Sequence, residues 1–168
     1  MSVVSKLQAL NFHDSRLAEV SLSFSERNAR SCLIEIDYYD WEGNAKRRAD
    51  DANEVWLTRR LRLSFGFLAH IEFSAPDLVN RAHDIDEAEV GYRLSTFQAK
   101  YAAFKREFPH GFYPLFEDES EVISLRFSTQ NYDEHSSGSL WIVGGKVELE
   151  WLNAPRHAGQ IHFPISDA

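Results

Sequence analysis

One cysteine, one methionine, five prolines and eight glycines are all that this 168-residue chain holds of those residue types. The lone Cys32 forms no internal disulfide, so the fold has no covalent staple, and a free thiol fits a reducing compartment. No stretch approaches the roughly 18 uninterrupted apolar residues that a membrane helix needs. The opening MSVVSKLQALNFHDS lacks the basic start and apolar core of a secretory signal. A soluble, cytoplasmic protein with no membrane partner is expected. Cations are scarce as well, with 18 Lys and Arg against 26 Asp and Glu, a net charge of -8. Such a chain repels phosphate backbones, so no nucleic-acid partner is expected. A Gly-rich phosphate loop, a nucleophile elbow, a Cys–His pair and an H-E-x-x-H zinc motif are also missing. No catalytic residue, cofactor or metal is therefore assigned.

What is present is a sheet pattern rich in aromatics: 12 Phe, 6 Tyr and 4 Trp in a length that suits a single domain over residues 1–168. Val20, Leu22 and Phe24 alternate with Ser21 and Ser23, and Ile34, Ile36 and Tyr38 alternate with Glu35 and Asp37. A short polar segment joins the two runs, which predicts an antiparallel hairpin. Asp40 to Glu54 is a polar excursion. Beyond it, Leu61, Leu63, Phe65, Phe67, Ala69, Ile71 and Phe73 all fall on odd positions. One straight strand from Leu57 to Phe73 would reach about 56 Å at 3.3 Å per residue, too long for a small domain. A bend or break is expected at Gly66.

Residues Ala75 to Glu87 read as a connector or one short helical turn, followed by a short strand through Ala88, Val90, Tyr92 and Leu94. The period then changes. Leu94, Phe97, Tyr101, Phe104 and Phe108 are spaced as one helical stripe, Ser95 and Gln98 have capping-box spacing, and Pro109 stops the run. This predicts one amphipathic helix over about Thr96 to Glu107. Ile123, Leu125 and Phe127 form a further strand. Gly144-Gly145, set between Leu140–Val143 and Lys146–Leu152, has the form of a two-residue hairpin turn, and Ile161 to Ile165 reads as a last edge strand. The expected fold is α+β, a strongly bent and mainly antiparallel sheet of about seven to nine strands with one helix.

Phe12-His13-Asp14-Ser15 holds the residue types of a hydrolase triad, but neighbours in sequence seldom converge on one reacting atom. The alternative is a turn in which Asp14 or Ser15 accepts a backbone N–H. Phe-His-Asp-Ser-x-Leu, the hairpin after it, the aromatic acidic strand end and the strand with Arg62-Leu63-x-Phe65 together resemble a loose group of small bacterial β-rich proteins. That group includes immunity-type proteins that neutralise toxins. The resemblance covers about Asn11 to Phe73 and implies a binding protein with no catalytic residues.

His70-x-Glu72 and His83-Asp84-x-Asp86 are pairs of metal-ligating types without the third ligand that a zinc site needs. Acidic runs at Asp84–Glu89, at Glu117, Asp118, Glu119 and Glu121, and at Asp133-Glu134 make the second half strongly negative. Each run is either a solvated loop or a docking face for a basic protein partner. Tyr38, Tyr39 and Trp41 cannot all be buried on one strand face, so one of them is expected at the surface as a cap or an interface anchor. The leading expectation is a non-enzymatic, immunity-like binding protein that docks a basic partner through His13, Asp14, Tyr39, Trp41 and the 117–121 acidic run. The rival is a small enzyme or ligand binder whose bent sheet encloses a pocket with His13, Asp14 and His70 as polar groups.

Overall fold

The computed structural model describes residues 2–24, 30–47, 56–74, 84–110, 122–130, 138–152 and 156–158. The elements in chain order are α1 (Val3–Gln8), β1 (Ser15–Phe24), β2 (Arg30–Tyr39), α2 (Trp41–Arg47), β3 (Trp56–Phe73), β4 (Asp84–Val90), α3 (Leu94–Glu107), β5 (Ile123–Gln130), β6 (Gly138–Trp151) and β7 (Arg156–Ala158). Every pairing is antiparallel. The strand order is β2-β1-β4-β5-β6-β3-β7, and β3 returns to pair with β2, so the sheet closes on itself. The three-residue β7 takes up the edge of β3 at Trp56–Thr58, beyond the point where β6 leaves it at Leu61. Among the described residues the ring therefore has six strand positions instead of seven to nine. The α+β, sheet-dominated class is as expected.

Closure explains how β3 can be 18 residues long. Its first half pairs with β2 from Thr58 to Phe65 and its second half with β6 as far as Phe73, so the strand wraps the ring. No break occurs at Gly66. The irregularity lies between Leu68 and His70, where Ala69 is the extra residue of a bulge that bends the strand. The interior is filled by Ile34, Ile36, Leu61, Leu63, Phe65, Leu125, Phe127, Leu140 and Ile142, all fully buried. Leu7 of α1 and Phe12 join this cluster.

The Gly144-Gly145 turn is also overturned. β6 runs through both glycines: Gly144 pairs with Leu68 on one side and Ile123 on the other, and neither glycine has positive φ. Their smallness serves close approach, because a Cβ at Gly144 would run into the Phe67 carbonyl oxygen and lie 2.8 Å from the Phe65 ring.

Among the described residues there are three helices, where the periodicity marks one. The long helix starts at Leu94 with Arg93 as its N-cap in the left-handed region and no side-chain cap, so Ser95 is not the capping residue. Gly91, with φ 88, makes the turn that ends β4 at Val90. The aromatic stripe of α3 is only partly seated. No residue of the helix is fully buried, and Phe104 and Phe108 are about half exposed. The segment expected as a connector yields the start of β4 at Asp84, anchored by buried Ile85. The Ile161–Ile165 strand lies outside the described residues. No helix among the described residues is long and apolar enough to cross a membrane.

Candidate functional site

The ring is thinnest between β1 and β4, which share two residue pairs, Ser15↔Ile85 and Arg16↔Asp84. The Phe12–Ser15 motif sits at this seam as a tight turn. Asn11 Oδ1 accepts the His13 N–H at 3.1 Å, the Phe12 carbonyl accepts the Ser15 N–H at 3.0 Å, and Asp14 takes a left-handed φ of 62. Aspartate tolerates that conformation better than most residues do. The Asp14 N–H donates to the Ile85 carbonyl, which ties the turn to β4. Ser15 is buried, and its Oγ accepts the Tyr39 N–H at 3.0 Å. The hydroxyl is thus structural, as the turn reading anticipates, though the N–H it accepts comes from β2.

The turn carries His13 outward between two carboxylates. Its Nδ1 lies 3.0 Å from Asp14 Oδ1 and its Nε2 3.7 Å from Asp86 Oδ1, with side-chain exposures of 53% for His13, 48% for Asp14 and 39% for Asp86. Asp86 reaches this place because β4 is irregular between Ile85 and Glu87. Thr129 pairs with Ile85 and Ser128 with Glu87, leaving Asp86 as the bulged residue.

The third wall comes from α2. Asp40 Oδ1 accepts the Gly43 N–H at 2.9 Å and so caps the helix start. Buried Asn44 clamps the helix to β3, accepting the Leu57 N–H at 2.7 Å and donating to the Leu57 carbonyl at 3.1 Å. Trp41 is thereby held at the first position of α2, where its indole N–H donates to the His13 carbonyl at 2.9 Å. Its ring lies edge-on to Tyr39 at 4.9 Å and to His13 at 6.0 Å. Tyr39 is buried beneath it, while Tyr38 points the other way, into the core against Phe12 and Trp151. Burial raises the Tyr38 phenol above its ordinary pKa, and Asp40 and Glu42 act in the same direction.

His13, Asp14, Tyr39 and Trp41 therefore converge, joined by Asp86, which the sequence reading placed in an acidic run without linking it to His13. His70 belongs to a separate outer cluster, 4.3 Å from Trp141 and 6.3 Å from Phe97, with Glu72 Oε2 at 3.5 Å from its Nε2. Glu117, Asp118, Glu119, Glu121 and His83 lie outside the described residues. A cavity of about 500 Å³ opens between α1 and the β5–β6 pair, lined by Val3, Val4, Ile123, Lys146, Val147 and Glu148 among others. None of His13, Asp14 and His70 lines it. Among the described residues no group of three His, Cys, Asp or Glu side chains could hold a metal ion.

Comparisons with family models, with curated proteins and with solved structures each give no match.

Among the described residues, no serine, cysteine or threonine side chain is brought into hydrogen-bond reach of His13. The nitrogen that a triad would turn toward a serine faces Asp86, and Ser15 is committed to Tyr39. What the arrangement offers is negative charge beside an aromatic ring at a partly exposed surface.

Proposed function

We propose that this chain is a non-enzymatic, immunity-like bacterial binding protein of the cytoplasm that docks a basic protein partner on the seam between β1, β4 and α2. The observation that carries this reading is the meeting of two partly exposed carboxylates, Asp14 and Asp86, with Trp41 over Tyr39. Carboxylates steer a cationic partner into encounter, and a tryptophan on a rigid support is a common interface anchor. The helix cap at Asp40 and the Asn44 clamp hold that anchor before any partner arrives, which lowers the ordering cost of binding. The overall charge of -8 acts in the same direction, and the acidic run at Glu117, Asp118, Glu119 and Glu121 adds to the attraction.

The test is affinity capture from a bacterial host lysate with the wild-type chain, the Asp14→Asn/Asp86→Asn pair and Trp41→Ala in parallel. The reading predicts a basic captured protein whose retention falls with added salt and with either variant. A captured protein that is acidic, or that is retained equally by all three baits, would reject it.

A further inference from the structure

Past its two pairs with β4, strand β1 has an open edge. It meets β4 only at Ser15 and Arg16, while on its other side it pairs with β2 as far as Phe24. Among the described residues no strand lies along the second edge of Leu17–Phe24. A strand directs only part of its N–H and C=O groups to one neighbour, so the rest of this stretch is left unpaired. Bulges, charged residues and proline commonly blunt such an edge. Here the bulge at Ala18 and the charge of Glu19 stand at its start, and Val20 to Phe24 holds no charge and no proline.

The side chains along this edge also lack cover. Residues directly opposite in a ladder share a face of the sheet. Val20 stands opposite Ile34, Leu22 opposite Cys32, and Cys32 opposite Phe65. Ile34, Cys32 and Phe65 are all buried core residues, yet Leu22 and Phe24 on the same face are 41% and 68% exposed. Core-facing apolar surface is thus bare beside an unpaired backbone edge. The β4 lip is similar, with Ala88 and Val90 opposite the core residues Phe127 and Leu125 but only partly buried. On the outer face both lips are acidic, with Glu19 on β1 and Glu87 and Glu89 on β4, and of these Glu89 is held by Arg126 at 3.0 Å.

We infer that Leu17–Phe24 takes one extended segment of the basic partner as an added strand, its apolar residues covering Leu22 and Phe24 and its alternate Lys or Arg residues facing Glu19 and Glu87. The inference rests on the docking reading above and names the form of the partner's contact. An unpaired edge is satisfied by another backbone in extended form, and pockets for alternate side chains then select its sequence. Charge selects the basic segment over a second copy of this chain, which would bring its own Glu19 to the same edge and a further net charge of -8.

The experiment is an NMR titration of the full chain with the capped peptide Arg-Val-Lys-Val-Arg-Val-Lys-Val. Matched peptides carry the same residues in two blocks, Glu in place of the basic residues, or N-methyl groups throughout. The first peptide should shift the backbone amides of Leu17–Phe24 and slow their exchange with solvent. Each matched peptide should bind at least about tenfold more weakly, the equivalent of one or two lost hydrogen bonds. Leu22→Gln/Phe24→Gln, which changes exposed side chains only, should weaken the first peptide to a similar degree. No shift along Leu17–Phe24 at about 1 mM peptide, equal binding of the block or N-methylated peptide, or indifference to Leu22→Gln/Phe24→Gln would overturn the inference. So would a dimeric wild type that Leu22→Gln/Phe24→Gln makes monomeric, since a second copy would then hold the edge. A captured partner that is lost from the Asp14→Asn/Asp86→Asn bait but kept by Leu22→Gln/Phe24→Gln leaves the docking reading standing and rejects the added strand. A partner indifferent to the Asp14→Asn/Asp86→Asn bait and to Trp41→Ala rejects the docking reading itself.

Discussion

Gly144→Ala is the substitution that weighs most directly on the closed sheet. The new Cβ would run into the carbonyl oxygen of Phe67 and stand 2.8 Å from the Phe65 ring. The first obstacle is backbone and the second is a fully buried side chain, so neither moves aside cheaply. Strand β6 cannot retreat either, because Gly144 is paired on both edges, with Leu68 and with Ile123. Overpacking costs about 1–3 kcal/mol, and each ladder hydrogen bond broken to relieve it adds roughly 1 kcal/mol. With one rung lost on each side the total is about 3–5 kcal/mol, or roughly 10 °C in Tm for a domain of this size. Gly66→Ala is the control: its Cβ would meet Lys146 Cβ at 3.2 Å and the Lys146 carbonyl at 3.4 Å, a crowding that small shifts relieve. Urea unfolding of the two variants beside the wild type gives the comparison. Gly144→Ala within about 1 kcal/mol of the wild type, or no worse than Gly66→Ala, would refute a β6 that threads between β3 and β5 at that point.

Three further outcomes follow from the packing. Ser15→Ala removes the acceptor of the buried Tyr39 N–H and should cost about 1–3 kcal/mol in chemical denaturation; a neutral result would mean that another group takes up that N–H. Burial pushes the Cys32 thiol up to about 11, so in the native protein at mildly alkaline pH it should resist a thiol reagent that labels the unfolded chain fully. The Arg62 guanidinium hydrogen-bonded to Glu35, helped by Arg60, holds the Glu35 carboxyl below its ordinary pKa. A carboxyl lowered on folding stabilises the native state above its unfolded pKa and loses that contribution as pH falls through the folded value. Glu35→Gln should therefore be less stable than the wild type at neutral pH by about 1 kcal/mol, with the gap closing in acid below about pH 4; a gap that persists there would contradict the assignment.

How much of this was legible in the sequence depends on which interaction set each element. The β1–β2 hairpin shows plainly, because Ile34 and Ile36 are core residues on an alternating strand. The long helix shows through its aromatic stripe. Its start does not, since the left-handed Gly91 and Arg93 set the entry in place of a side-chain cap. Helix α2 was hidden in a polar segment whose stability comes from the Asp40 cap and the Asn44 clamp on Leu57, contacts that have no hydrophobic period. Strand β4 was hidden because aspartate and glutamate are poor strand formers, and one buried residue, Ile85, with partners on both sides outweighs them. Gly144-Gly145 misled for a related reason: a glycine needed for a turn and one needed for close packing look alike until the neighbouring strands are placed.

The candidate site was half visible. His13, Asp14 and Trp41 stand out by residue type, but Asp86 joins them through a bulge in a strand 72 positions away from Asp14, which no local pattern reveals.

Hydrogen exchange on the complex with the captured basic partner tests the central claim most directly. Docking on the seam predicts added protection in peptides spanning Phe12–Arg16, Tyr39–Glu42 and Asp84–Glu87, with the backbone around His70 and along α3 unchanged. Protection confined to α3, or to the groove between α1 and β6, with the seam exchanging as in the free protein, would contradict it.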